Sequence, residues 1–272
     1  MQTFNTITSA IFDVILAPFG HRAAWFDLLF WPIVAGVVAL VIYKAVSNQA
    51  GIADAKRKIM VHLLEVVLYR ENVVGVLVST ARGLLQNVRY LAYNIVPMLV
   101  LIVPMTIILV QIVANYAYAP FATGDVQLLE VELAPGSGVA PKDVAATFPD
   151  GVGVQAGPVR TPDGRVFWRI EMLADGDYAI QLKAGDETQT KAVVVGDAPQ
   201  KVPVLRTQSW EALLYPGETA LPSGSVFETI KIAAPERSLR FFPSGEGGIL
   251  LWFFVASLAA GFLLRKRLGV TL

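Results

Sequence analysis

The 272-residue chain contains no cysteine, only two histidines, and charged side chains at just 16% of its positions. Without cysteine there are no disulfides, no thiolate metal sites and no cysteine nucleophile. The topology predicted from the basic residues puts the histidines, His21 and His62, on opposite sides of the membrane, so they are not expected to share a site. No G-x-S-x-G occurs, so neither a Ser-His-Asp constellation nor a zinc site of ordinary composition is expected. Net charge is zero, and no basic stripe of the kind that nucleic-acid phosphates require is present. Nucleic acid is therefore not expected as a partner, and no cofactor or metal is implied. Asp175 and Asp177 lack the further spaced oxygens of a calcium loop and read as turn residues. Gly245-Glu246-Gly247-Gly248 lacks the pattern of a phosphate loop and reads as a hinge. An enzyme is the function class with least support.

What the chain has in excess is apolar surface: 54% of its residues are hydrophobic. Crossing a hydrocarbon core takes about 20 apolar residues of helix, and three stretches meet that need, within 23–45, 91–118 and 247–265. Trp25, Trp31 and Tyr43, then Tyr90, Tyr93, Tyr116 and Tyr118, then Trp252 with Arg265-Lys266-Arg267, stand where interfacial anchors belong. The first stretch lacks a basic leader and a small-residue cleavage pattern, so it reads as a retained span. Lys56, Arg57, Lys58, Arg70, Arg82 and Arg89 between the first two spans, and the basic tail at 266–272, predict that both segments are cytoplasmic. Between Ala119 and Gly247 acidic residues outnumber basic ones, so that segment is expected outside the cytoplasm. The predicted topology is N-terminus out, C-terminus in, across the inner membrane.

Within 1–22, Phe4, Ile7, Ile11, Phe12, Ile15, Leu16 and Phe19 recur at helical spacing, which predicts an amphipathic helix lying in the membrane interface or packed on the outer domain. Residues 46–90 read as a cytoplasmic pair of amphipathic helices broken across Glu71-Asn72-Val73. Pro97 and Pro104 interrupt the backbone ladder of the second span. Asn94, Gln111 and Asn115 are amides in that apolar setting. They are expected either to tie helices together or to line a polar groove for a substrate. Ser257 and Gly261 form a small-xxx-small pair suited to close helix packing.

Residues 119–246 alternate with period two over Leu129–Leu133, Val166–Met172 and Tyr178–Leu182. Further strands are expected over Val152–Val159, Lys191–Val195, Val202–Leu205 and Phe227–Ala233, with a short helix near Ser209–Tyr215. Turn pairs such as Asp150-Gly151 and Gly185-Asp186 separate them. The expected fold is an α-helical, three-span membrane region with an extracytoplasmic all-β, immunoglobulin-like sandwich.

The segment Ala55–Val110, above all Glu65-Val66-Val67-Leu68-Tyr69-Arg70 and Val96-Pro97-Met98-Leu99, resembles in its organisation the YidC family of membrane-protein insertases and their three-span relatives. The resemblance covers about a fifth of the chain. It implies a non-enzymatic insertion or assembly factor. In that role Asn94, Gln111 and Asn115 would line the groove, and Lys56, Arg57, Lys58 and Arg70 would make cytoplasmic contacts. Partners would be the lipid bilayer and nascent membrane proteins. Two departures are visible: Leu28–Ile42 carries no arginine, and the large outer domain follows the second span rather than preceding the amphipathic helix. A different class remains open, a membrane-anchored interaction subunit whose β-sandwich binds an envelope partner or complex.

Overall fold

The computed structural model describes residues 7, 8, 10–12, 14, 24–197, 200–239 and 242–271. Among them, Ile7, Thr8, Ala10–Phe12 and Val14 are helical, and Ile7, Ile11 and Val14 are exposed. The rest of the expected interfacial helix, including Phe4, Ile15, Leu16, Phe19 and His21, lies outside the described residues.

Four long helices follow: α1 (Ala24–Val46), α2 (Gln49–Leu68), α3 (Val73–Tyr116) and, after the sheets, α4 (Gly245–Leu268). Three of them, α1, α3 and α4, are long and apolar enough to cross a membrane. Local chemistry sets their ends. Asn48 caps α2 by accepting a bond from the Gly51 N–H at 2.9 Å, and Asn72 does the same for the Gly75 N–H at 3.0 Å. The break expected across Glu71-Asn72-Val73 is therefore a capped turn. The second amphipathic helix and the second span form one continuous helix of 44 residues. Nothing between Arg89 and Leu91 breaks a helix; the change there is one of side-chain polarity, which the backbone does not register. Glycines 245, 247 and 248 likewise belong to the first turn of α4 rather than to a hinge.

The chain divides into two compact units. One holds Leu29–Ile108 and Phe253–Leu272. In it α2 runs antiparallel to the first half of α3. Ser79 donates to Glu65 at 3.0 Å, a Cβ on Gly83 would lie 3.4 Å from His62, and Lys56 lies 5.4 Å from the Tyr90 ring centre. At the open end of this hairpin Gly51 allows Tyr93 to approach so closely that a Cβ would sit 2.9 Å from the ring. A small core forms there from Leu40, Tyr43, Ile52 and Val270. The α4 terminus is tied in by the Lys44 ammonium, which donates to the Leu268 carbonyl at 2.6 Å, and by the Thr271 N–H, which donates to Gln49 at 2.7 Å.

The other unit comprises Leu109–Trp252 with the chain up to Leu28. Its strands are β1 (Val126–Leu133), β2 (Val144–Thr147), β3 (Val152–Arg160), β4 (Arg165–Met172), β5 (Gly176–Ala184), β6 (Glu187–Val195), β7 (Leu205–Thr207) and β8 (Phe227–Ile232). They make an antiparallel five-stranded sheet, β3-β4-β1-β8-β7, and an antiparallel three-stranded sheet, β2-β5-β6. Side chains alternate along each strand, so every second residue faces inward. Leu129, Val131, Trp168 and Ile170 from the larger sheet share one core with Ile180, Leu182, Val193 and Val195 from the smaller. The seventh strand lies later than expected, at Leu205–Thr207 instead of Val202–Leu205. Pro203 has no N–H to give a ladder, so pairing with β8 starts only beyond it. The expected short helix is a 3-10 turn, Trp210–Leu213, capped by the Ser209 hydroxyl.

Candidate functional site

The three amides proposed as groove-lining fall in different units. Asn94, in the helical unit, accepts a hydrogen bond from the Tyr43 hydroxyl of α1 and donates one at 2.6 Å to the Tyr90 carbonyl one turn earlier. Its polar atoms are thus used to hold α3 against α1. Gln111 and Asn115 belong to the other unit and are almost fully buried, with Asn115 donating to the Gln111 carbonyl at 2.7 Å. Placing an amide in an apolar setting costs free energy unless its donors and acceptors are met. Here donors are met largely by the backbone one turn back.

Gln111 and Asn115 border a buried polar cluster that the sequence reading did not assemble. Asp27, only 1% exposed, accepts from the Tyr116 hydroxyl at 2.5 Å. The Arg237 guanidinium lies 5.9 Å from the Tyr116 ring centre and donates to the Asn115 carbonyl at 3.2 Å. Burial pushes the Arg237 guanidinium below its ordinary pKa, with the Tyr116 phenol opposing that shift. Next to it the Tyr118 hydroxyl donates to Glu246 in the first turn of α4 at 2.8 Å, and Trp252 donates to the Leu28 carbonyl at 2.8 Å. Backbone bonds from Ala119 to Pro235 and from Arg237 to Ala117 join the end of α3 to the strand leaving β8. The cluster therefore fastens the start of α1, the end of α3 and the start of α4 to the base of the β-sheets. The signal for it was present in Asp27, a lone carboxylate at the edge of an apolar run, a position that calls for a partner.

The expected cytoplasmic contact residues are divided. Arg57 and Lys58 both pair with Asp54, at 2.6 and 2.7 Å. These bonds hold the Asp54 carboxyl below its ordinary pKa, that from Lys58 foremost. Lys56 lies over Tyr90, and Arg70 is exposed at the hairpin turn. The Ser257–Gly261 pair does face another helix: the Ser257 carbonyl meets the position a Cβ on Gly36 would occupy, and Leu40 lies 4.0 Å from such a position on Gly261. Only glycine at 36 permits α1 and α4 to approach this closely. Asp175 and Asp177 bond to Thr123 at 2.6 Å and to Gln200 at 3.1 Å.

The largest exposed apolar surface outside the regions expected in lipid is the α2–α3 hairpin. Met60, Leu63, Leu64, Val67 and Leu68 on α2, and Val74, Leu77, Leu84, Leu85 and Val88 on α3, all keep more than half of their surface accessible, up to 75% at Leu68. An apolar face of this extent is uncommon on a surface without a binding role.

A second buried polar group lies in the sheets. Lys191 of β6 is fully buried and donates to Glu218 at 2.6 Å and to the Pro203 carbonyl at 2.8 Å. The other Glu218 oxygen accepts from the Ala192 N–H at 2.9 Å. Burial lowers the Lys191 pKa, and the Glu218 charge opposes that shift. Arg206 crosses the same region to the Thr219 and Thr190 carbonyls at 2.7 and 2.5 Å. The group staples the segment from Pro203 to Thr219 onto β6.

No protein-family model matches the chain, and no curated protein matches it. Among solved structures, a crystal structure of the S-layer protein rSbsC is similar at 17% identity and a TM-score of 0.24, over 29% of this chain and 12% of that one. Domains 4 and 5 of the S-layer protein SbsC are similar at 18% identity and a TM-score of 0.23, over 30% of this chain and 48% of that one. The chain thus spans less than half the length of either.

Proposed function

We propose that the protein is a three-span membrane protein that assists the insertion or assembly of other membrane proteins, without covalent chemistry, in the manner of the YidC-like proteins it resembles. The observation that carries this reading is the apolar α2–α3 hairpin continuous with a membrane-length helix. At 1.5 Å per residue α3 is about 66 Å long, roughly twice a hydrocarbon core of about 30 Å, so half of it stands outside. Arg82 and Arg89 mark that half as cytoplasmic by the distribution of basic residues. The topology is N-terminus outside and C-terminus in the cytoplasm, across a bacterial inner membrane. An emerging apolar segment meets the hairpin first; each leucine-sized side chain buried there contributes about 1.5–3 kcal/mol. Asn94 ties α3 to α1 while Asn115 bonds its own helix, and the proposed client path follows the exposed hairpin face rather than an amide-lined groove. Depleting the protein and measuring integration of a panel of membrane proteins tests the role: unchanged integration of every substrate would rule it out.

The β-sheet unit supports a second reading, an interaction subunit with an immunoglobulin-like sandwich displayed outside the membrane. Strand β3 is the edge of the larger sheet, and Val154 and Val159 on it are exposed, an arrangement open to pairing with a strand of an envelope partner. Pull-down with the full chain, comparing wild type with a Val154→Lys, Val159→Lys variant, distinguishes the two: loss of one recurrent partner favours this reading.

A further inference from the structure

We infer that α3 pairs with α3 of a second copy of this chain along a parallel, in-register coiled-coil seam. Val74, Leu77, Ala81, Leu84 and Val88 follow one another at alternating steps of three and four residues. The rhythm continues without a slip through Leu91, Ile95, Met98 and Ile102. A strict seven-residue repeat of this length makes a narrower stripe than the apolar face of an ordinary surface helix, and it is what a supercoiled helix presents to a partner helix. All of these side chains are exposed, the larger ones from 53% at Ile95 to 70% at Val74. The partner is not α2, which takes the opposite side of α3, where Ser79, Gly83 and Tyr93 meet Glu65, His62 and Gly51.

The choice of residues along the seam specifies the occupant. β-Branched Val74, Val88, Ile95 and Ile102 hold the first apolar position of the repeat, and Leu77, Leu84 and Leu91 hold the second. That combination favours two parallel strands, and two copies inserted with the same topology in one membrane are parallel. The positions bordering the seam, Val78, Thr80, Leu85 and Asn87, carry no charge, while Arg82 and Arg89 lie outside it. Two copies in register therefore bring no like charges together. The driving force comes from the half of α3 outside the hydrocarbon core, since apolar burial gains little within lipid. There, Val74 to Val88 with Val78 and Leu85, at roughly 100 Å² for each side chain, bury about 1,400 Å² over both copies, within the range of about 1,200–2,000 Å² found in stable pairs. The inference rests on the reading that α3 spans a membrane with its first half in the cytoplasm. It adds a resting state to the proposed role: the second copy covers part of the hairpin surface until an incoming apolar helix takes its place.

The test uses the full chain in isolated membranes. Because the chain has no cysteine of its own, single substitutions report pairing directly once the membranes are oxidised with copper phenanthroline. Leu77→Cys, Leu84→Cys, Val88→Cys and Leu91→Cys lie on the seam. Arg82→Cys and Arg89→Cys, equally open to solvent, lie off it. The expected result is a disulfide-linked dimer at each seam position, formed at least fivefold more than at either arginine position. Equal yields at all positions, or higher yields at the arginines, would overturn the pairing. A second measurement places Leu77→Arg and Leu84→Arg in the Val88→Cys chain, so that like charges meet across the seam. The dimer yield should then fall at least fivefold, and an undiminished yield refutes the seam. All these substitutions are at exposed positions, so folding does not depend on them. Integration of client proteins after depletion is measured without reference to pairing, so the seam and the insertion role can each fail alone.

Discussion

Removing the ammonium at position 191 should loosen the β5–β6 pair far more than a surface substitution would. In Lys191→Met the aliphatic stem is replaced at similar volume, so packing against Val193 changes little, but Glu218 keeps only the Ala192 N–H as a close partner. Breaking a buried ion pair from one side costs about 3–5 kcal/mol, and Arg206, whose charge is near Glu218, brings the expectation to the lower end, about 3 kcal/mol. The converse variant, Glu218→Gln, leaves the lysine buried without a counter-charge and pushes its folded-state pKa further down. The unfolded chain then binds a proton that the folded chain does not, so the stability of this variant rises with pH toward the ordinary lysine pKa of about 10.4. The assay is hydrogen exchange of the full chain in nanodiscs, read by mass spectrometry on peptides covering Glu187–Val195. A loss of 3 kcal/mol appears as roughly a hundredfold faster exchange of the slowest amides. For Glu218→Gln the deficit should shrink between pH 6 and pH 9. Wild-type protection in Lys191→Met, or a deficit in Glu218→Gln that grows with pH, would refute the assignment of Lys191–Glu218 as a staple.

Gly36→Val should drive a side chain into the Ser257 carbonyl and separate α1 from α4, at about 1–3 kcal/mol, read as a lower midpoint of thermal unfolding in nanodiscs; Gly261→Ala, whose Cβ would meet only Leu40 at 4.0 Å, should change little. Tyr43→Phe strips Asn94 of its donor from α1 and should cost about 0.5–1.5 kcal/mol in the same assay. Asp27→Ala removes the carboxylate that accepts from the Tyr116 hydroxyl and should destabilise the junction by about 1–3 kcal/mol, visible as faster exchange across Ala117–Pro120 and Pro235–Ser238. At Glu65, bonds from His62 and Ser79 hold the carboxyl below its ordinary pKa of 4.5. The stabilisation they give is complete above that value and is lost as pH falls through the lower folded-state pKa, so the α2–α3 hairpin should open on acidification and Glu65→Gln should remove that pH dependence.

How much could be read in the sequence depended on whether a signal was local. Apolar runs and aromatic anchors located the three membrane-length helices, and alternation located β1, β4 and β5, because both patterns repeat within a few residues. Strand β2 escaped: Val144-Ala145-Ala146-Thr147 is too short and too uniform to alternate. The start of β7 was misplaced because Val202 is buried ahead of the strand, and hydrophobicity reports burial rather than backbone partners. The expected boundary at Tyr90 is one of side-chain polarity, and the backbone runs through it as a single helix. The polar cluster of Asp27, Tyr116 and Arg237 draws on three distant parts of the chain, so no spacing rule could assemble it. Lys191 did leave a trace, since it stands in phase with the inward-facing Val193 and Val195, and a lysine on the core side of a strand demands a buried partner. Which amides share a surface was not legible at all: Asn94 and Gln111 are alike in sequence context, and only the Tyr43 hydroxyl sets Asn94 apart.

The most direct test of the proposed role is site-specific photocrosslinking in cells from Leu64 and Leu77 on the hairpin, with Asn94 and Asn115 as comparison sites and captured species identified by mass spectrometry. The account predicts that the hairpin positions capture many different newly made membrane proteins, while the two amide positions capture mainly the protein's own helices. A single recurrent partner at the hairpin, or none, would contradict it and move the function to the β-sheet unit.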